Sequence, residues 1–132
     1  MLSEENKQFF QNLVSAPSPS GFEGPAQKVV MDFLIPYADE INKDRNGNVI
    51  ALKKGSGKLK VMVVGHSDEI GFMVNHIDEQ GYVYVRTLGG FDVNMLPGVS
   101  VDSYRHGQAV RGIIGTVPIH MQRGTEDPPK LG

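Results

Sequence analysis

The residues that could do chemistry gather in one stretch. His66-Ser67-Asp68-Glu69-Ile70-Gly71 follows directly on Val61-Met62-Val63-Val64-Gly65, a continuously apolar run. Imidazole is a good ligand for zinc or cobalt. A carboxylate two residues on can accept the proton of the other ring nitrogen, which fixes the tautomer and the ring orientation. Ligands and catalytic groups often collect at the carboxyl ends of strands in α/β sheets, and a strand over residues 58–65 would deliver His66 there. His66 is therefore the candidate metal ligand and Asp68 the candidate residue that orients it. By spacing alone a structural histidine is the competing reading.

The other chemically suggestive residues have plainer explanations. His76 lies on a later strand pattern, His106 in the turn-like Tyr104-Arg105-His106-Gly107, and His120 near the C-terminus. Ligation needs convergent geometry, which their spacing does not supply. Asp68 and Glu69 are adjacent and would point to opposite faces of a strand. A glycosidase needs its two carboxylates facing each other across a sugar. Glu69 reads instead as a structural or turn partner. Gly55-Ser56-Gly57-Lys58 lacks the residue order of a phosphate loop and precedes a strand pattern, so it reads as a hairpin turn. The Tyr82, Tyr84 and Arg86 alternation reads as one solvated side of a sheet.

Composition narrows the class. The chain has 132 residues, 13 Lys plus Arg against 15 Asp plus Glu, and a formal net charge of −2. A general nucleic-acid or anionic-membrane binder would show a basic excess, so neither partner is expected. With 39% hydrophobic residues and near-balanced charge, a folded chain is expected. The absence of Cys excludes a disulfide framework and any thiolate ligand from this chain. The N-terminus has no basic-then-apolar signal pattern, and no run approaches the ~20 apolar residues of a membrane span. A cytoplasmic location is the expectation.

The elements that must position His66 come next. Ser3 caps a first helix with Glu4 and Glu5 in its first turn, and Phe9, Phe10, Leu13 and Val14 share one face. Ala16-Pro17-Ser18-Pro19-Ser20-Gly21 breaks it. A second helix starts near Pro25, carries Ala26, Val29, Val30, Phe33 and Leu34 as its apolar stripe, and ends at Pro36. Two short strand patterns flank Arg45-Asn46-Gly47, a strong hairpin signal. The continuous apolar run within residues 58–65 predicts a buried strand. From Gly71 onward only short strand patterns appear, suggesting a small barrel or sandwich. The fold class is thus α/β: residues 1–70 as two helices, a hairpin and a buried strand, and residues 71–132 as a β-rich domain. After His120 the chain has loop chemistry only.

Several segments together resemble one known family. The stretch from Val61 through His66-Ser67-Asp68-Glu69 to Val74 resembles the metal-binding strand of the glutamyl aminopeptidases. These are the tetrahedral (TET) aminopeptidases, metallopeptidase family forty-two. Ala16-Pro17-Ser18-Pro19-Ser20-Gly21-Phe22-Glu23 is similar to the family's N-terminal Ser-Gly-x-Glu turn, and Asp44 through Ala51 to its Gly-Asn hairpin. Leu88-Gly89-Gly90-Phe91-Asp92 and the segment from Gly112 to His120 are similar to its inserted β domain.

The resemblance implies an α/β peptidase domain interrupted by a small β-barrel-like insertion that serves oligomer assembly. It implies a homo-oligomer, with a dimer as building block, that removes N-terminal residues from peptide substrates using two divalent metals, zinc or cobalt. His66 matches a metal ligand of the family and Asp68 the carboxylate that orients it. The family's other site residues (a bridging aspartate, a Glu-Glu pair, a further carboxylate and a second histidine) lie downstream of the insertion. Asp92, Asp102, Glu126 and Asp127 sit in no matching context. The implied chain is therefore an N-terminal portion with an incomplete insertion domain, supplying one ligand and inactive alone. The other reading is a non-catalytic binding or assembly module built on residues 71–119. With the later strands of a peptidase sheet missing, residues 61–65 would form an uncovered apolar edge, and poor solubility is expected.

Overall fold

The computed structural model describes residues 1–116. The chain divides into two compact units, Met1–Gly71 and Phe72–Gly132.

The first unit opens with α1 (Glu4–Ser15). The Ser3 side chain accepts the Asn6 N–H at 3.2 Å, satisfying one of the helix's free donors. Pro17, which cannot continue a helix, comes just after its C-cap Ala16. α2 (Gly24–Leu34) begins with Pro25 in its first turn and ends ahead of Pro36, as the sequence predicts. The two helices pack through aromatic rings. Phe9 stacks on Phe33 with centroids 4.0 Å apart, and Phe33 meets Tyr37 at 5.6 Å. The Tyr37 hydroxyl donates to Glu5 at 2.9 Å. Ala26, on the inner side of α2, is completely buried.

β1 (Glu40–Lys43) and β2 (Val49–Leu52) form the expected antiparallel hairpin, with Ile41 opposite Ala51 and Lys43 opposite Val49. Its turn is organised by Asp44, whose carboxylate accepts the N–H groups of Asn46 and Asn48 and the Asn48 side-chain amide. This is the local side-chain bonding that favours Asp in turns. Gln27 Nε2 donates to the Gly47 carbonyl at 2.7 Å, tying α2 to the turn.

The buried strand expected over residues 58–65 is not observed. The segment is irregular, and Val61, Val63 and Val64 are 77%, 92% and 77% exposed. A strand buried on both faces exists only when neighbours pair with its edges and cover its faces. Among the described residues nothing pairs with this run. The apolar pattern is real, but the partners it requires are not among these residues. For the same reason Gly55-Ser56-Gly57-Lys58 is a bend leading into irregular chain rather than a hairpin turn.

β3 (Gly71–Ile77) begins on the last residue of the first unit and runs into the second, which also contains β4 (Val83–Leu88), a short 3₁₀ turn (Val93–Met95), β5 (Ser100–Arg105) and β6 (Gln108–Ile113). β3 pairs with β4 around a turn in which Asp78 accepts the N–H groups of Gln80 and Tyr82. β5 pairs antiparallel with β6, Asp102 opposite Arg111. These two-stranded sheets are separate, so the expected barrel is not closed among the described residues. Closure needs each hairpin to bond to the next along its free edge. Here β4 stops at Leu88, Gly89 takes a φ of +88°, and the 3₁₀ turn carries the chain away before β5 begins. Phe72 stacks on Phe91 at 4.8 Å, and Leu96 is buried.

Candidate functional site

The first unit places His66 and Asp68 on a support supplied by the segment between the two helices. Glu69 forms a parallel bridge with Pro19. The Glu69 N–H donates to the Ser18 carbonyl at 2.9 Å, and the Ser18 N–H donates to Glu69 Oε1 at the same distance. Ser18 itself is buried. Two residues on, Gly71 passes so close to the Pro19 ring that a β-carbon there would lie 2.6 Å from Pro19 Cβ. Glu69 is thus a turn partner, as its sequence context suggests.

On this support the Asp68 carboxylate has both oxygens engaged. Oδ2 accepts the Ser20 hydroxyl at 2.5 Å and Oδ1 lies 2.9 Å from His66 Nδ1. The Asp68 backbone oxygen is 3.1 Å from the same nitrogen. A carboxylate and a carbonyl can only accept. His66 Nδ1 must therefore carry the proton, and in the neutral ring the lone pair is left on Nε2. That is the tautomer of a histidine ready to ligate a metal through Nε2. The Ser20 hydroxyl first, and His66 after it, hold the Asp68 carboxyl below its ordinary value, against a smaller opposing effect of desolvation. The His66 side chain is 85% exposed, so the pair adds little to stability. What the pair sets is which ring nitrogen faces the carboxylate.

The described residues supply one oriented imidazole and no complete metal centre. Among them no group of three or more His, Asp or Glu side chains could hold an ion. His76 stacks face to face on Tyr84 with centroids 4.3 Å apart. His106 forms a tight hairpin turn with Gly107, both at positive φ, which suits a two-residue loop. Asp92 accepts the Asn94 N–H, and Asp102 makes a two-pronged pair with Arg111. His120, Glu126 and Asp127 lie outside the described residues. The second unit also holds a shallow hollow of about 300 Å³ lined by Val85, Arg86, Thr87, Phe91 and Val93; its one charged group gives it no catalytic constellation. No helix among the described residues is long and apolar enough to cross a membrane.

Residue chemistry alone does not single out Ser18 or Ser20. They read as members of a helix-breaking turn, and only folding brings them against residues about 50 positions later. The one signal in the sequence is a Ser-rich turn in the same chain as a His-x-Asp motif, a combination too common to assign.

Comparison with known proteins places this geometry in context. A family model described as M42 glutamyl aminopeptidase matches residues 47–131. A lysyl aminopeptidase of Pyrococcus furiosus is 37% identical over 121 residues, covering 91% of this chain and 35% of that protein. A TET aminopeptidase from a marine sediment archaeon of the Thaumarchaeota has the same fold with a TM-score of 0.85. It shares 34% identity, covering 89% of this chain and 33% of that one. The TET1 peptidase of Pyrococcus horikoshii gives a TM-score of 0.73 at 27% identity, covering 95% of this chain and 36% of its own; it assembles into a tetrahedron or a large octahedral shell. The chain spans about a third of the length of the relatives it matches.

Proposed function

The chain belongs to the M42 glutamyl aminopeptidase family, and on that premise we propose that it is the N-terminal part of a metal-dependent aminopeptidase, in which His66 is one ligand of a two-metal centre and Asp68 orients it. The observation that carries the reading is the pair of acceptor oxygens at His66 Nδ1, which leaves Nε2 free to ligate. In such hydrolysis a bound pair of zinc or cobalt ions supplies an activated water and a polarised scissile carbonyl. What this chain contributes is narrower. Asp68 holds the ring proton at Nδ1, the turn from Ser18 to Ser20 holds Asp68 and Glu69, and the imidazole presents an uncommitted nitrogen. One imidazole does not hold a metal pair, so the 132-residue chain alone is expected to be inactive.

The substrates proposed are peptides, cleaved at the N-terminal residue. A homo-oligomer is proposed, a reading supported by the shells formed by the Pyrococcus horikoshii relative, with the second unit as its assembly element.

The test is a chimera in which this chain replaces the matching third of the Pyrococcus furiosus lysyl aminopeptidase. Metal-dependent release of an N-terminal residue from an aminoacyl-p-nitroanilide is expected. Asp68→Asn should lower turnover about 10–100-fold, the usual effect of removing the partner of a ligating histidine. His66→Ala should lower it further. A chimera whose activity survives His66→Ala would overturn the ligand assignment. Robust turnover by the pure 132-residue chain would overturn the one-ligand reading.

A further inference from the structure

We infer that Ser20 is a positioning residue for the His66 ring, acting through Asp68; this rests on the reading of His66 as a metal ligand. Two observations require a third member in the chain of contacts. The His66 side chain is 85% exposed, so packing does not fix the ring. The Asp68 side chain is 38% exposed, so packing does not fix the carboxylate either. A carboxylate held only by the group it is meant to orient can rotate with it. The Ser20 hydroxyl removes that freedom by binding Oδ2 while Oδ1 faces the ring.

Ser20 can do this because its own position is set independently. Pro19 pairs with Glu69, Ser18 exchanges two hydrogen bonds with Glu69, and the Pro19 ring seats against Gly71. The backbone on either side of the Ser20–Asp68 contact is thus fixed before the hydroxyl engages. The line from Ser20 hydroxyl to Asp68 carboxylate to Nδ1 is continuous, and each link has one donor and one acceptor. A partner orienting a partner is how ligand direction is commonly set.

The test uses the full 132-residue chain and reads the ring, not turnover. At mildly alkaline pH the ¹⁵N signals of His66 report which ring nitrogen bears the proton. The wild type is expected to show the proton on Nδ1. Ser20→Ala should raise the Nε2–H form by about three- to tenfold, the effect of losing one hydrogen bond at an exposed site. Ser20→Thr, which keeps the hydroxyl, should restore the wild-type pattern. The Glu69 amide, bonded to Ser18, reports whether the turn is still seated. Unchanged ring signals in Ser20→Ala overturn the proposal, whether the turn stays seated or not. If Ser20→Ala both unseats the turn and mixes the tautomers, Ser20→Thr decides. A restored pattern supports the hydroxyl's role, and a mixed one overturns it. No metal or substrate enters this measurement, so its result stands apart from whether the aminopeptidase reading holds.

Discussion

Gly71 and Pro19 approach so closely that any β-carbon on residue 71 would fall 2.6 Å from Pro19 Cβ. The proline ring is rigid and cannot swing aside. Gly71→Ala must therefore push the two segments apart or shift their backbones, a form of overpacking that costs about 1–3 kcal/mol. The hydrogen bonds next to the clash are those between Ser18 and Glu69. Faster exchange of the Glu69 amide with solvent is the expected outcome, with the α1–α2 amides changed much less. Unchanged protection at Glu69 would mean that the contact is not needed to seat the turn.

The helix pair rests on the Phe9–Phe33 stack, at 4.0 Å and 18° between planes. Offset or stacked aromatic pairs contribute about 0.5–1.5 kcal/mol beyond the area they bury. A double-mutant cycle of Phe9→Leu and Phe33→Leu, followed by urea unfolding monitored by circular dichroism, should give a coupling energy in that range. Additive effects would show that the rings act only through burial.

Asp44 gives the pH dependence of the first hairpin. Its carboxyl is held below the ordinary carboxylate value, first by the Asn48 side-chain amide and then by the Asn48 N–H, with the Asn46 and Gly47 N–H groups adding to them. A folded-state pKa below the unfolded one means that the folded state binds the proton less readily. The contribution is therefore fully present above the unfolded pKa of about 3.9 and is lost as pH falls through the lower folded value. Carbon-13 titration of the Asp44 carboxyl should show a midpoint below that of an unfolded peptide, with the Asn46 and Asn48 amides moving in step. A midpoint at the ordinary value would sink the turn-locking role.

Much of this was legible in the sequence because it is local. The Ser3 cap, the Pro25 start and the Asn46-Gly47 hairpin are each decided within a few residues, where side-chain bonding and backbone preference dominate. The His66–Asp68 contact was legible for a similar reason, since its two residues lie only two positions apart. Ser20 was not legible, because its partner lies 48 residues away. The run from Val61 to Val64 shows the opposite failure. Its apolarity encodes a demand for neighbours on both faces, and a local pattern cannot say whether those neighbours are at hand. The separate β3–β4 and β5–β6 hairpins follow the same logic, since strand existence is local and barrel closure is not.

That unmet demand yields the last prediction. Val61, Met62, Val63 and Val64 are each more than three-quarters exposed and follow one another without a charge. A contiguous, β-prone, uncharged stretch is a template for pairing with another chain. The 132-residue chain is expected to self-associate, with light scattering showing a mass that rises with concentration. Val61→Lys combined with Val63→Lys should suppress this, because charges on an open strand disfavour edge-to-edge pairing. The same substitutions should leave the α1–α2 packing and the β1–β2 hairpin intact, since neither involves residues 61–64. A wild-type chain that stays monomeric and melts in one sharp transition would mean that this run finds cover within its own chain. Association that persists in the double variant would move the sticky surface elsewhere, with the exposed side chains Val110 and Ile113 of β6 the next to test.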